Sequence, residues 1–178
     1  MMNTTQQLSE HEFASRLTPE TVRTFQIIQT ALMAGATMFL LVIVMLHVQQ
    51  GPGEAMGTET ADMLSIVHTV FALSAFGASR IIFEKMFDQQ MIINAPDPYT
   101  TSLNIIRSAL LVRLALMEGA AFFGLAVCII AVTGGITQTE PVYFLNAASY
   151  ALFILIGLQT FPTKESLTSI FRTQILKQ

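Results

Sequence analysis

Four apolar runs and a one-sided distribution of cationic residues constrain this chain more than any other feature of its sequence. On a window of about 19 residues, apolar runs cover Ile27–Val48, Met63–Phe83, Ala109–Thr133 and Val142–Phe161. Each is close to the ~20 residues a helix needs to cross about 30 Å of hydrocarbon. If all four cross, Arg16, Arg23, Arg80, Lys85, Arg107, Arg113, Lys164, Arg172 and Lys177 fall on one side, together with both termini. The two loops on the other side carry Glu54, Glu59, Asp62 and Glu140 and neither Lys nor Arg. An odd number of crossings destroys this sorting. Positive-inside topology then makes the basic side cytoplasmic. The expectation is a multi-pass protein of the bacterial inner membrane with both termini in the cytoplasm.

Composition agrees. Hydrophobic residues make up 52% and charged residues 12%, against about a quarter charged in soluble domains. That argues against a water-soluble enzyme, a nucleic-acid binder or a disordered tail. A net charge of −3 provides no field that steers the chain to polyanions. Cys128 stands alone, so neither a disulfide framework nor a multi-cysteine metal cluster is available. The first run follows a polar stretch, is too long for a signal-peptide core and lacks a small-residue cleavage site.

Local signals place the helix ends. Thr18 is a candidate cap, with Pro19 at the first helical position and Glu20 complementing the dipole. Pro96 and Pro98 are expected to stop one helix, and Thr101 or Ser102 to cap the next. The "GPG" at Gly51–Gly53 reads as a turn, and both outer loops are too short to form a domain. Residues 1–178 are therefore one membrane domain. Its tail, 163–178, reads as a short helix capped by Thr163, with Leu167, Ile170, Phe171 and Ile175 on one face. Two readings are open for it: a helix along the inner membrane interface, or a partly ordered tail.

Small residues four apart predict where helices meet, because close backbone approach supplies the packing that water does not drive in lipid. Such pairs are Ala31 with Gly35, Ala115 with Gly119, Ala120 with Gly124, and Ser74 with Ala78. They predict an all-α fold, a compact antiparallel four-helix bundle, unless some of these faces meet another subunit. The first and third runs also align. Ala31, Leu32, Met33, Gly35, Ala36, Phe39 and Leu41 match Ala115, Leu116, Met117, Gly119, Ala120, Phe123 and Leu125. A duplication would make two tandem helical hairpins related by an axis along the membrane normal.

Glu118 is the one acid inside an apolar run. A charge there costs about 2.5–3.5 kcal/mol on insertion scales. It is expected to link helices as a structural carboxyl, to bind a proton or cation, or to face lipid in its neutral form. Arg80, Gln29, Thr30 and Gln159 are expected at similar depth. His47 and His68 lie near the outer ends of the first two runs. They are ordinary interfacial histidines or, on facing antiparallel helices, axial ligands of a haem b. Asn146, Ser149 and Tyr150 read as interhelical hydrogen bonders, and the methionines as packing groups. No phosphate-cradling loop, metal-ligand helix pair or nucleophile elbow is present.

The stretch "LALMEGAAFFGLAVCIIAV", Leu114–Val132, resembles the acid-bearing helix of rotary ATPase proteolipid subunits, where a carboxylate precedes small residues, an aromatic and an aliphatic run. Duplicated proteolipids keep the acid in one half, as Glu118 against Ala34 here. The resemblance implies an ion-carrying carboxylate. The family's glycine-rich partner helix and its basic-Gln-Pro loop have no counterpart in this chain. As a whole the sequence also resembles uncharacterised small four-helix bacterial membrane proteins with an Ala-Leu-x-Glu-Gly third span, Ala115–Gly119 in this chain. The resulting expectation is a non-enzymatic small or accessory subunit of an inner-membrane complex, in contact with lipid and with other membrane subunits or itself. The alternatives are a proton- or cation-handling component using Glu118 with Arg80 or Gln159, and a haem subunit using His47 and His68.

Overall fold

The computed structural model describes residues 8–50 and 57–177, and every regular element among them is helical. A short α1 (Glu10–Arg16) leads into α2 (Pro19–Gln49); α3 (Glu59–Lys85) returns, and α4 (Gln89–Ile93) caps its end. The 36-residue α5 (Pro98–Thr133) follows. A fourth long segment, Pro141–Gln159, begins as 3₁₀ turns and becomes α6 at Ala148. The tail forms α7 (Lys164–Ile170), which widens into π turns as far as Leu176. Four segments are thus long and apolar enough to cross a membrane. The turn expected at Gly51–Gly53, and Glu54, lie outside the described residues.

The helix starts follow from their side chains. Thr18 Oγ1 accepts from the Thr21 amide at 3.2 Å, with Pro19 behind it. Thr163 and Ser166 form a reciprocal capping box at α7. At α5 the cap is Asp97, whose carboxylate accepts from the Tyr99 and Thr100 amides at 3.1 and 3.3 Å. The expectation of Thr101 or Ser102 is corrected. Pro98 has no amide to satisfy and its fixed φ suits the first helical position, so it starts this helix rather than blocking it.

α5 is the axis of the molecule. It packs against α3, α2 and α6, whereas α2 and α3 barely touch each other. This corrects the simple antiparallel bundle, because sequence neighbours α2 and α3 are not packing neighbours. α2 runs beside α5 in the same direction, and the Gln50 side-chain amide donates to the Thr133 carbonyl at 3.0 Å where both end. The cause is the circumference of α5. Ala109, Leu114, Met117, Ala121, Gly124 and Cys128 are all buried, so three helices find apolar surface on it. The aligned runs do not share surroundings: Leu125 is fully buried, whereas Leu41 is 56% exposed.

At 1.5 Å per residue α5 is about 54 Å long, well beyond a hydrocarbon layer of about 30 Å. Its surplus lies at the end that holds both termini. There Phe13, Phe25, Phe87, Ile92, Ile106, Leu167, Phe171 and Ile175 form one apolar core. Phe13 and Phe171 stack with ring centres 4.1 Å apart and planes 6° off parallel. The apolar face of the tail is therefore spent on the protein itself.

A histidine network beside a lateral groove

His68 enters the interior because α3 turns one polar stripe, Asp62, Ser65 and His68, toward the fourth segment; the three recur every three residues. The imidazole is 4% exposed. Its Nδ1 lies 2.9 Å from Asn146 Oδ1 and its Nε2 3.0 Å from Ser149 Oγ. Asn146 Nδ2 donates to Ser65 Oγ at 2.9 Å and to the Tyr143 carbonyl at 3.0 Å. Those two acceptors fix the amide orientation, so Oδ1 accepts and His68 Nδ1 carries a hydrogen. Tyr143 in turn donates to Asp62 Oδ1 at 2.6 Å.

Ser149 completes the network in two ways. Its hydroxyl can donate to His68 Nε2. Alternatively it donates to the Ala120 or the Asn146 carbonyl, each 3.1 Å away, and accepts from a protonated Nε2. The first arrangement satisfies neutral imidazole and the second imidazolium, with no heavy atom displaced. Phe123 of α5 closes the remaining side, its ring 5.5 Å from the imidazole and edge-on.

Gly124 allows this convergence. A Cβ there would stand 2.7 Å from His68 Nε2 and closer still to Ser149 Oγ and the Asn146 carbonyl. Beside the network a groove of about 580 Å³ runs between α3 and the fourth segment. Asp62, Ser65 and Thr69 line one end of its α3 wall, and Leu73 and Phe76 the other. Val142, Leu145 and Leu152 form much of the opposite wall. The groove is polar toward the acidic loops and apolar toward the middle of the spans.

The site residues expected from sequence are scattered. Arg80 pairs within its own helix, Nε 3.3 Å from Glu84 Oε1, with 83% of its side chain exposed. Gln159 is exposed and Glu118 half-buried, and neither has a hydrogen-bond or ion-pair partner among the described residues. Glu118, Arg80 and Gln159 are therefore not assembled into one site. Gln29 is the buried amide of that region, its Nε2 donating to the Gly157 carbonyl.

The histidines also part company. His47 Nδ1 lies 3.1 Å from Thr137 Oγ1, with Phe144 edge-on to the ring, while both nitrogens of His68 are engaged on the far side of α5. A two-histidine haem site needs two neighbouring helices, and α2 and α3 are not neighbours.

Of the packing pairs, Ala120 and Gly124 are buried. Ala31, Gly35, Ala115 and Gly119 are exposed, and nothing lies within 4 Å of a Cβ built at Gly35 or Gly119. Tyr150 does join helices, its hydroxyl 3.0 Å from Thr37 Oγ1. What sequence reasoning missed is the meeting of Asn146 and Ser149 with His68. The signal was a pair of i, i+3 polar stripes on the second and fourth runs. No known protein family, curated protein or solved structure matches the chain.

Proposed function

We propose that this chain is a non-enzymatic bacterial inner-membrane protein, both ends cytoplasmic, that serves as a small subunit of a larger membrane assembly. The observation that carries the reading is an uncovered strip on the central helix. Ser108, Val112, Ala115, Gly119 and Ile130 recur at three- and four-residue steps or their multiples along α5, and all are exposed. Beside the strip, Phe122 packs on Phe39 of α2 and Phe123 on Phe71 of α3, so these two helices flank it.

A floor of Ala115 and Gly119 between two helices admits another helix backbone at close range, the geometry that favours association in lipid. Small residues are otherwise wasted there, since a larger side chain buries more apolar surface against acyl chains. The cationic residues at the termini end support the orientation. A test is extraction from native membranes in a mild detergent, followed by mass measurement and identification of co-purifying chains. The reading expects a particle heavier than one 19.5 kDa chain that contains a second transmembrane protein or further copies. A monodisperse single chain contradicts it.

A further inference from the structure

At the termini end, α3 and α5 bring two arginines together with too little negative charge. Arg80 has Glu84 beside it. Arg113 on α5 meets no carboxylate among the described residues. Its guanidinium carbon stands 5.3 Å from the centre of the Phe83 ring, and Phe83 lies three residues, less than one turn, along α3 from Arg80. Its Nε is enclosed without a hydrogen-bond partner. Its two terminal nitrogens are neither enclosed nor hydrogen-bonded among the described residues. Glu118 does not supply the missing charge. Five residues at about 100° each place it about 140° round the helix, on another side of α5.

A guanidinium held flat over an aromatic ring, with a second one beside it, matches the paired oxygens of a phosphate. Depth selects the source. Arg113 lies four residues, about 6 Å along the helix, inside the start of the third apolar run, from where its long side chain reaches back to the headgroup phosphates rather than to free solution. Basic pockets between helices at this level hold anionic lipid headgroups. We infer that Arg80 and Arg113 form a binding site for the phosphate of an anionic phospholipid, seated at the α3–α5 seam in the leaflet facing the termini end. The site shares membrane insertion with the functional reading but does not need a protein partner.

The test uses the full purified chain in dodecyl maltoside, with phosphatidylglycerol or phosphatidylcholine of identical acyl chains added. Lipid retention by native mass spectrometry and the midpoint of thermal unfolding are read together. Phosphatidylglycerol should be retained and raise the midpoint, and phosphatidylcholine should do neither. R113Q and R80Q should each weaken phosphatidylglycerol retention by about tenfold. R113K keeps the charge but not the planar fork and should lose most of the retention, while K164Q, a basic residue outside the pair, should leave it unchanged. If R113Q does not fold, R80Q on the exposed face decides the matter. Equal retention of the two lipids overturns the inference, as does wild-type retention in R80Q. Displacement of the lipid by millimolar inorganic phosphate would assign the site to a soluble anion and also overturn it.

Discussion

Replacing Gly124 with Ala adds a single methyl group at the point where three helical segments converge. The new Cβ would stand 2.5 Å from Ser149 Oγ and 2.7 Å from His68 Nε2, and still closer to the Asn146 carbonyl. The side chains can turn away, but the carbonyl belongs to a helix backbone and cannot. Either α5 and the fourth segment separate, or the network breaks. Overpacking of this kind costs about 1–3 kcal/mol. Losing the bond that the single Ser149 hydroxyl hydrogen makes adds about 0.6 kcal/mol, the membrane average. Greater helix propensity returns about 0.5–1 kcal/mol. The net expectation is a loss of about 1–3 kcal/mol from these terms. Equilibrium unfolding by dodecyl sulfate in mixed micelles measures it, with G35A and G119A as internal references. Both of those positions are open, so each should be neutral or gain up to about 1 kcal/mol. A G124A protein within about 0.5 kcal/mol of wild type, the range usual for ordinary surface changes, would refute the packing argument. So would a G119A protein destabilised as much as G124A.

Two further expectations concern the termini end. Phe171→Ala removes a fully buried ring stacked on Phe13 and should cost about 3–5 kcal/mol. Amide hydrogen exchange should rise across α1 and α7 first, and unchanged protection of α1 would count against their shared core. Asp97 is held below its ordinary carboxyl value first by the Thr100 hydroxyl, against the opposing effect of desolvation, with the Thr100 amide and the Arg16 charge adding to the lowering. Because its folded value is depressed, its contribution to stability is full above about pH 4 and disappears as pH falls through the folded value. D97N should flatten that acid limb and speed exchange at the start of α5, and an unchanged acid limb would refute the assignment.

The four long segments were legible because twenty-residue apolar runs and the sorting of arginines and lysines are properties of the chain alone. Thr18 and Thr163 were legible for the same reason, since a cap depends on its next three residues. The arrangement of helices was not. The Ala-x-x-x-Gly spacing marks a face on which a helix can approach, and Ala31–Gly35 carries it as clearly as Ala120–Gly124, yet only the latter is covered inside the chain. Which face is used depends on the whole circumference of α5, a sum over three neighbours that no local window contains. The interior polar network was not legible for a related reason. Glu118 drew attention as an isolated charge, whereas the interior polar network is assembled from neutral donors and acceptors on α3 and the fourth segment. Each is unremarkable until His68 is placed opposite Asn146 and Ser149. The packing of the tail was not legible because its partner, α1, lies at the other end of the sequence.

The most direct test of the account is photo-cross-linking from single positions of α5 in native membranes. A photoreactive residue at Gly119, on the uncovered strip, should give a discrete adduct with another protein chain. The same group at Ala126, also toward the strip but about two helical turns further along, should give that adduct too, whereas a group at the buried Met117 should label only this chain. If Gly119 captures lipid and no protein, the strip is a lipid-facing surface and the subunit reading falls.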